Sequence, residues 1–571
     1  MFRIDKYDFD ISASAKVSEL THDKINVGLN WPVVYVINND KEAYIGETVN
    51  ASRRIDQHLQ NEERQKLTEI RIISDGNFNK SVILDLESFL IKYMGSDGKF
   101  ELQNGNNGIR DHEYYERSIY KEEFNAIWEK LRELKVVNNS IESIENSELF
   151  KYSPYKSLGA EQIKAESEIL KAFAENRDHE NGTTVLVKGG AGTGKTILAI
   201  YLLKLFADVN MGRAYSLEIE DDFLDEDAES ISALDGIGGI DKIGIVLPQK
   251  SLQTSLKDVF SNVKGLDKKM IFSPADVVKD YIRTGKKFDL LLVDEAHRLK
   301  YRSKGHLSNY AIFDKCNREL GLDKYEGTEL DWIMMCSYNQ ILFRDELQTV
   351  RPSDMDGETF YGLLMHKYDT AVVTSELNTQ WRCEGGNDYI AYLRNILSCK
   401  QQEPKIIENY DFKLYEDCAQ MVKDIKAKNE ELDLCRVVAG YAWPWKRSEP
   451  EHFTIDIQGN WYRWNMTYNN WINSKTSIDE IGCIHTVQGY DLNYVGVIIG
   501  EDIKYDPVKK TIIADKDNYY DQQGKSGVAN DPEALKEYLC NIYLTLMTRG
   551  IKGCYVYVCN DELREYMCRY F

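Results

Sequence analysis

Apolar residues are arranged along this chain in two ways. Beyond residue 158, continuous apolar runs such as "TTVLVKG", "IGIVLP", "FDLLLVDE" and "YVGVIIG" alternate with stretches of helical periodicity. Strands apolar on both faces and separated by helices predict parallel sheets covered on both sides. Between residue 31 and about residue 110 the runs are shorter. Here "VVYVI" and "EAYIGE" predict two strands joined by a turn at Asn38-Asn39-Asp40, and "ASRRIDQHL" predicts a helix. "NKSVILDLESFLIKYM" predicts another helix, with an apolar stripe of Val82, Leu86, Phe89 and Tyr93. The row beside it, Ile83, Glu87, Leu90 and Met94, is interrupted by one carboxylate. A partly buried acid at such a place needs a metal, a cation or a proton. Tyr120, Phe124, Ile127, Leu131 and Leu134 then form a one-sided stripe that predicts a spacer helix. The following "NNSIESIENSELFKYSPYKS" is polar and without period, which places a domain boundary near 140–157. The pattern therefore predicts an α/β chain. It divides into a small α+β domain over 1–110, a helical spacer and linker over 111–157, and parallel-sheet domains over 158–375 and 376–571.

Composition narrows the class. The 571 residues are 43% hydrophobic and 29% charged, ordinary for soluble protein and long enough for several cores. No apolar run approaches the ~20 residues of a membrane span, and "MFRIDKYDFD" lacks the basic-then-apolar order of a secretory signal. The expectation is a cytoplasmic protein with no membrane partner. All eleven cysteines follow residue 315 at irregular spacings without a CxxC pair, which reads as reduced thiols. A net charge of −22 excludes a wholly basic, histone-like binder but is compatible with a basic groove on an acidic body. Eight of the acids lie in "EIEDDFLDEDAE" between Glu218 and Glu229, a solvated insertion or, alternatively, a regulatory segment.

The most specific motif is "VKGGAGTGKT". Gly189, then Gly190, Ala191, Gly192 and Thr193, then Gly194, Lys195 and Thr196, satisfy the phosphate-loop spacing between a strand and a helix. Glycines let backbone N–H groups approach phosphates, Lys195 reaches the outer ones, and the Thr196 hydroxyl can ligate Mg²⁺. Downstream, "FDLLLVDEAH" ends a buried strand in Asp294 and Glu295, where the first acid would hold the metal and the second activate water.

Further stretches occur in a fixed order: Asp345 and Gln348 in "ILFRDELQTV", Gln380 and Arg382 in "LNTQWRC", Thr486, Gln488, Gly489 and Asp491 in "IHTVQGYDLNYVGVIIG", and Arg549 in "YLTLMTRG". In this order they resemble motifs III to VI of superfamily 1 helicases over roughly residues 155 to 571, and Gln162 in "LGAEQIKAES" resembles the adenine-reading glutamine. That resemblance implies two RecA-like domains with ATP between them. It also implies that Gln162, Gln348 and Gly489 serve the nucleotide and that Arg382 and Arg549 reach its γ-phosphate from the second domain. "RVVAGYAWPW" further resembles a bacterial family related to the Schlafen helicase domain.

The polar cluster near the front then acquires a reading. Arg54 and His58, four apart, share a helix face behind Tyr35 and Tyr44. With "VVY" as first motif, "YIG" at Tyr44 to Gly46 as second, and Glu87 further on, the stretch from 31 to about 110 resembles the GIY-YIG nucleases. Val33 replaces the first glycine of the family pattern, and the interval between the tyrosines is slightly short. The resemblance implies that Glu87 holds one Mg²⁺ or Mn²⁺ and Arg54 faces the phosphate. Tyr35 and Tyr44 would orient or deprotonate the nucleophile, with His58 assisting proton transfer. Asn104 matches the family's late asparagine in one register, and Asn106 or Asn107 in another.

Trp443, Trp445, Trp461, Trp464 and Trp471 fall within thirty residues beside Lys446, Arg447 and Arg463, either as core or as a platform for bases. Taken together, the residues imply an ATP-dependent nuclease on DNA or RNA, DNA favoured, in bacterial antiviral defence. The alternatives are a nucleic-acid remodeller with a non-cleaving front domain and a Schlafen-like ATPase switch acting as scaffold or on RNA.

Overall fold

The computed structural model describes residues 2–105, 114–176, 178–190, 192–211, 240–302, 307–345, 354–380, 383–401, 403–445, 454–467, 471–487, 490–525, 528 and 530–571. Ala191, Gln348, Arg382, Gln488 and Gly489, with Asn106, Asn107, Lys446, Arg447 and the acidic segment 218–229, lie outside the described residues.

The front of the chain builds a five-stranded sheet in the order Arg3–Asp8, Glu69–Ser74, Val33–Asn38, Glu42–Thr48, Glu101–Leu102. Its pairs are antiparallel except the last. The turn between the two central strands closes because the Asn39 side chain accepts from the N–H groups of Lys41 and Glu42. Strand alternation turns Val34, Val36 and Ile45 toward the helix Lys80–Asp97, and Tyr35 and Ile37 toward the helix Ala51–Leu59. Asn50 and Asn79 cap these helices by accepting from Arg53 N–H and Val82 N–H. The spacer helix, Arg117–Glu133, buries Phe124, Ile127, Trp128 and Leu131, whereas Leu134, at its C-cap, is exposed.

Residues 140–157 are polar in sequence yet packed in space. Two short helices, Ile141–Glu145 and Glu148–Lys151, start on Ser140 and Ser147 caps. Ile144, Phe150 and Tyr155 join one continuous core that runs from the front sheet into the next. Gly95, inside the helix Lys80–Asp97, makes room for this: a Cβ there would lie 2.6 Å from the Tyr155 ring.

Two parallel sheets follow. One has six strands in the order Ile271–Phe272, Ile243–Val246, Phe288–Val293, Ser337–Arg344, Thr183–Gly189, Ala371–Leu377. The other has five, ordered Asp411–Tyr415, Gly550–Val558, Leu492–Ile499, Arg436–Ala439, Ile481–Cys483. This is the α/β architecture the pattern predicts, a small front sheet followed by RecA-like parallel sheets. The tryptophan cluster resolves mostly as core. Trp464 and Trp471 are buried, Trp443 and Trp445 lie half-buried against Trp464, and Trp471 donates to Glu480 at 2.7 Å. Only Trp461 of the five is open to solvent, at 58%. Among the described residues no helix is long and apolar enough to cross a membrane.

Candidate active sites

Tyr35, Tyr44, Arg54, His58 and Glu87 come together around the two central strands of the front sheet. Tyr35 stands opposite Gly46 across the strand pair, and a Cβ on Gly46 would lie 2.2 Å from the Tyr35 hydroxyl. The glycine of "YIG" is therefore the floor on which the first tyrosine lies. The Tyr35 hydroxyl meets His58 Nε2 at 2.7 Å and accepts from Arg54 Nε at 3.3 Å. Tyr44 packs its ring edge against His58, with ring centroids 5.0 Å apart. Arg64, from the turn after the helix, donates to His58 Nδ1 and lays its guanidinium 3.8 Å from the centre of the Tyr44 ring. Asn104 holds the second strand by accepting from Ile45 N–H at 3.0 Å and donating to Ile45 C=O at 2.8 Å.

The charges at this site are displaced from their ordinary states. Burial, then Arg64 and Arg54, push the His58 imidazole down to about 2, so it is neutral. Burial and the neighbouring Tyr44 hold the Tyr35 hydroxyl well above its usual range, against Arg54. Burial and the adjacent Glu47 push Glu87 up to about 8, opposed by Lys80 and Arg54. Glu47 in turn is paired with Lys80 at 2.7 Å. A carboxyl held up by burial and a second carboxylate is one that a cation would discharge. Mg²⁺ is commonly held by one or two carboxylates with substrate phosphate and water. Glu87 with Glu47 beside it fits that donor set, and among the described residues no cluster of three or more His, Cys, Asp or Glu side chains offers a fuller cage.

The second site lies where the strand Thr183–Gly189 turns into the helix Lys195–Asn210. Gly192 and Gly194 have φ of 78° and 80°, conformations that favour glycine. Lys195 Nζ donates to the carbonyls of Gly189 and Gly190 at 2.8 and 2.7 Å and lies 3.6 Å from Asp345. The Thr196 hydroxyl donates to Asp294 at 2.7 Å, the contact expected of a shared Mg²⁺ site. Burial and the adjacent Glu295 raise Asp294 to about 6. Glu295 is held well below its ordinary value despite burial, because His297 and Arg298 each lie 3.1 Å away. Glu295 also sits at φ 53°, a strained conformation for a residue with a Cβ.

Gln162 and Arg549 each have partners within the chain. Gln162 accepts from Gly159 N–H at 2.9 Å and donates to Gly194 C=O at 3.2 Å, which ties it to the phosphate loop. Arg549 is buried, with Nη1 donating to the Tyr490 carbonyl at 3.3 Å. A cavity of about 320 Å³ between the two parallel-sheet bodies is lined by Gly190, Thr193 and Asp345 on one side and by Asn387, Arg394 and Thr548 on the other. Arg394 is thus the described arginine on the second body's wall of the cleft.

Known proteins agree with this division of labour. The family model of the Schlafen group 3 DNA/RNA helicase domain matches residues 182–560. The chain belongs to the Schlafen group 3 helicase family. In this Schlafen group 3 helicase a second model, the GIY-YIG catalytic domain, matches residues 32–100, so an endonuclease domain is joined to a helicase-type ATPase. The uncharacterized protein YPL245W of Saccharomyces cerevisiae is 25% identical over 439 residues, covering 72% of this chain and 91% of the yeast protein. Two solved structures are similar at low superposition scores. A Pif1 helicase from Bacteroides in complex with ADP-AlF3 and ssDNA has TM-score 0.24 and 13% identity, covering 70% of this chain and 92% of that one. An arterivirus nonstructural protein 10 helicase with DNA has TM-score 0.26 and 11% identity, covering 70% and 65%.

Arg64, Glu47, His297 and Arg394 escaped the sequence reading. His297 had a visible signal, since it closes the "DEAH" tetrad, and its Nδ1 accepts from the Asp345 backbone N–H at 3.3 Å. Arg64 and Arg394 occupy no motif, and only tertiary packing brings them to a site.

Proposed function

We propose that this chain is an ATP-dependent nuclease, with domains spanning 1–110, 158–375 and 376–571 joined through 111–157. The observation that carries this reading is the gathering of Tyr35, Tyr44, Arg54, His58 and Glu87 in a module whose core is continuous with that of the phosphate-loop body. A detached relic would have no need to keep every polar group of a phosphodiester-cutting site.

In the front module Arg54 faces the scissile phosphate and offsets charge that builds on it. Tyr35 and Tyr44 orient the attacking water. Glu87, with Glu47 nearby, would hold one Mg²⁺ or Mn²⁺, which would supply Lewis-acid stabilisation of negative charge at the phosphate and the leaving oxygen. In the motor, Lys195 and Thr196 take the phosphates and Mg²⁺ of ATP together with Asp294, and Glu295, kept ionised by His297 and Arg298, accepts the proton of the attacking water. Asp345 and Arg394 line the cavity between the two parallel-sheet bodies, and by the resemblance Gln348, Arg382, Gly489 and Arg549 would serve the same nucleotide. DNA is the favoured strand and the cytoplasm the favoured compartment, and a nuclease gated by a motor suits bacterial defence against phage.

One assay tests the reading: cleavage of single- and double-stranded DNA and RNA, with and without ATP and with Mg²⁺ or Mn²⁺. Glu87→Ala should abolish cleavage, a loss of more than about 100-fold, while ATP hydrolysis persists. Lys195→Ala should remove ATP hydrolysis and the ATP-dependent part of cleavage. A host carrying Glu87→Ala should lose phage resistance. Cleavage by Glu87→Ala at the wild-type rate would refute the nuclease assignment, and hydrolysis indifferent to every nucleic acid would favour an ATPase switch.

A further inference from the structure

The hydrogen bonds around His58 determine where its proton sits. A guanidinium has only donors. Arg64 Nη1 approaches His58 Nδ1, so that nitrogen must accept. In a neutral imidazole the hydrogen then resides on Nε2, the atom 2.7 Å from the Tyr35 hydroxyl. Arg54 Nε–H points at the same hydroxyl from 3.3 Å. The Tyr35 oxygen therefore receives two donors, and its own hydrogen must lie away from both.

We propose that Arg64 is a positioning residue of the nuclease site: its guanidinium locks His58 in the Nε2–H form, so that His58 donates to Tyr35 instead of taking its proton. This rests on the nuclease reading and changes one role within it. A relay in which His58 assists by accepting the tyrosine proton is closed at both ends. Nε2 already carries a hydrogen, and Nδ1 is covered by a cation that also stacks on Tyr44. What remains for His58 is to fix the Tyr35 oxygen over Gly46 and to stabilise negative charge on it. Among the groups facing His58 are Tyr35 and Tyr44 from the two strands, Arg54 on its own helix and Arg64 from the following turn. Both cations disfavour a charged imidazole.

The test combines histidine ¹⁵N spectra of the full chain with pH–rate profiles of cleavage. His58→Gln identifies the His58 signal among the nine histidines. In the wild type His58 should show the Nε2–H tautomer and no protonation between about pH 5.5 and 9. In Arg64→Met, Nδ1 loses its donor and the hydrogen should no longer be fixed on Nε2, so the spectra should show the Nδ1–H form. Cleavage should then fall about 10-fold or more, because an Nδ1–H imidazole offers Tyr35 no donor. Arg64→Lys keeps one donor and one charge and should restore the Nε2–H form and the wild-type profile. An Nδ1–H tautomer in the wild type, or an unchanged tautomer and profile in Arg64→Met, would overturn the inference. The spectra stand apart from activity, so a chain that holds the Nε2–H form yet cuts nothing would sink the nuclease reading while supporting the tautomer assignment.

Discussion

Single residues set the geometry of both sites through what they leave out as much as what they contribute. At Gly46 the missing Cβ is the space the Tyr35 hydroxyl occupies. Gly46→Ala should displace Tyr35 from His58 and Arg54, lowering cleavage by about 100-fold, and overpacking should destabilise the chain by about 1–3 kcal/mol. Parallel cleavage and denaturation measurements check both, and an undiminished rate would separate Tyr35 from the chemistry. Asp502 shows what burial does to a carboxyl outside both sites. It is fully buried, accepts from the Tyr543 hydroxyl at 2.5 Å, and burial raises it to about 7. Its folded-state value lies above the unfolded one, so the stability it contributes is complete below about pH 4 and is lost as pH rises toward 7. Asp502→Asn should remove that slope, a difference of at most about 4 kcal/mol between pH 4 and pH 8. Urea midpoints of variant and wild type at the two pH values measure it. Tyr35, Tyr44, Arg54, His58 and Glu87 were legible in sequence because each sits at a fixed interval within a local motif. Arg64 and Arg394 were not, since an isolated arginine carries no periodicity and gains meaning only from what folds against it.

At the scale of elements, the legible part is what local pattern controls. The phosphate loop, the buried strands and the helices Ala51–Leu59 and Lys80–Asp97 follow from spacing, caps and apolar stripes. Residues 140–157 look like a tether in sequence because Ile144, Phe150 and Tyr155 are separated by polar residues, and their apolar partners lie on other elements. Tyr155 is the clearest case. Its ring sits in the notch left by Gly95 on the helix that carries Glu87, and Lys204 of the phosphate-loop helix lies 5.9 Å from the ring centre. The residue therefore joins the element holding the nuclease carboxylate to the one that begins with Lys195. Tyr155→Ala should cost about 3–5 kcal/mol, the range for deleting a fully buried aromatic ring. Tyr155→Phe should cost far less. Equilibrium denaturation of both variants provides the check, and an Ala variant as stable as the Phe variant would mean that the ring is not a structural wedge.

For the whole molecule, the front module is bonded to the first motor body and its linker to the second. Lys264, from the first parallel-sheet body, pairs with Glu42 at 3.2 Å and Glu63 at 3.5 Å on the front module. The linker reaches the second body through Lys151 Nζ, which lies 3.4 Å from the Asp491 carbonyl, and through Asn146 and Asn493 at the same separation. Both latter contacts fall just beyond Gly489, in one of the stretches that resemble superfamily 1 helicase motifs. A module anchored to two bodies that flank an ATP cleft is loaded whenever those bodies move relative to one another. Such coupling depends on both anchors, so loosening one should separate hydrolysis from cutting while sparing each. Lys264→Glu reverses the charge facing Glu42 and Glu63 and lies far in sequence from the phosphate loop and from the nuclease residues. ATP turnover should stay within about 2-fold of wild type, as should metal-dependent cleavage without ATP, because neither reacting centre loses a group. The increase in cleavage on adding ATP should fall by about 5-fold or more, the effect of a coupling free energy on the order of 1 kcal/mol. Strand breaks per ATP hydrolysed, measured side by side for wild type and Lys264→Glu, decide the matter. An unchanged ratio would mean that the nuclease responds to the strand the motor delivers and not to the contacts between the two bodies.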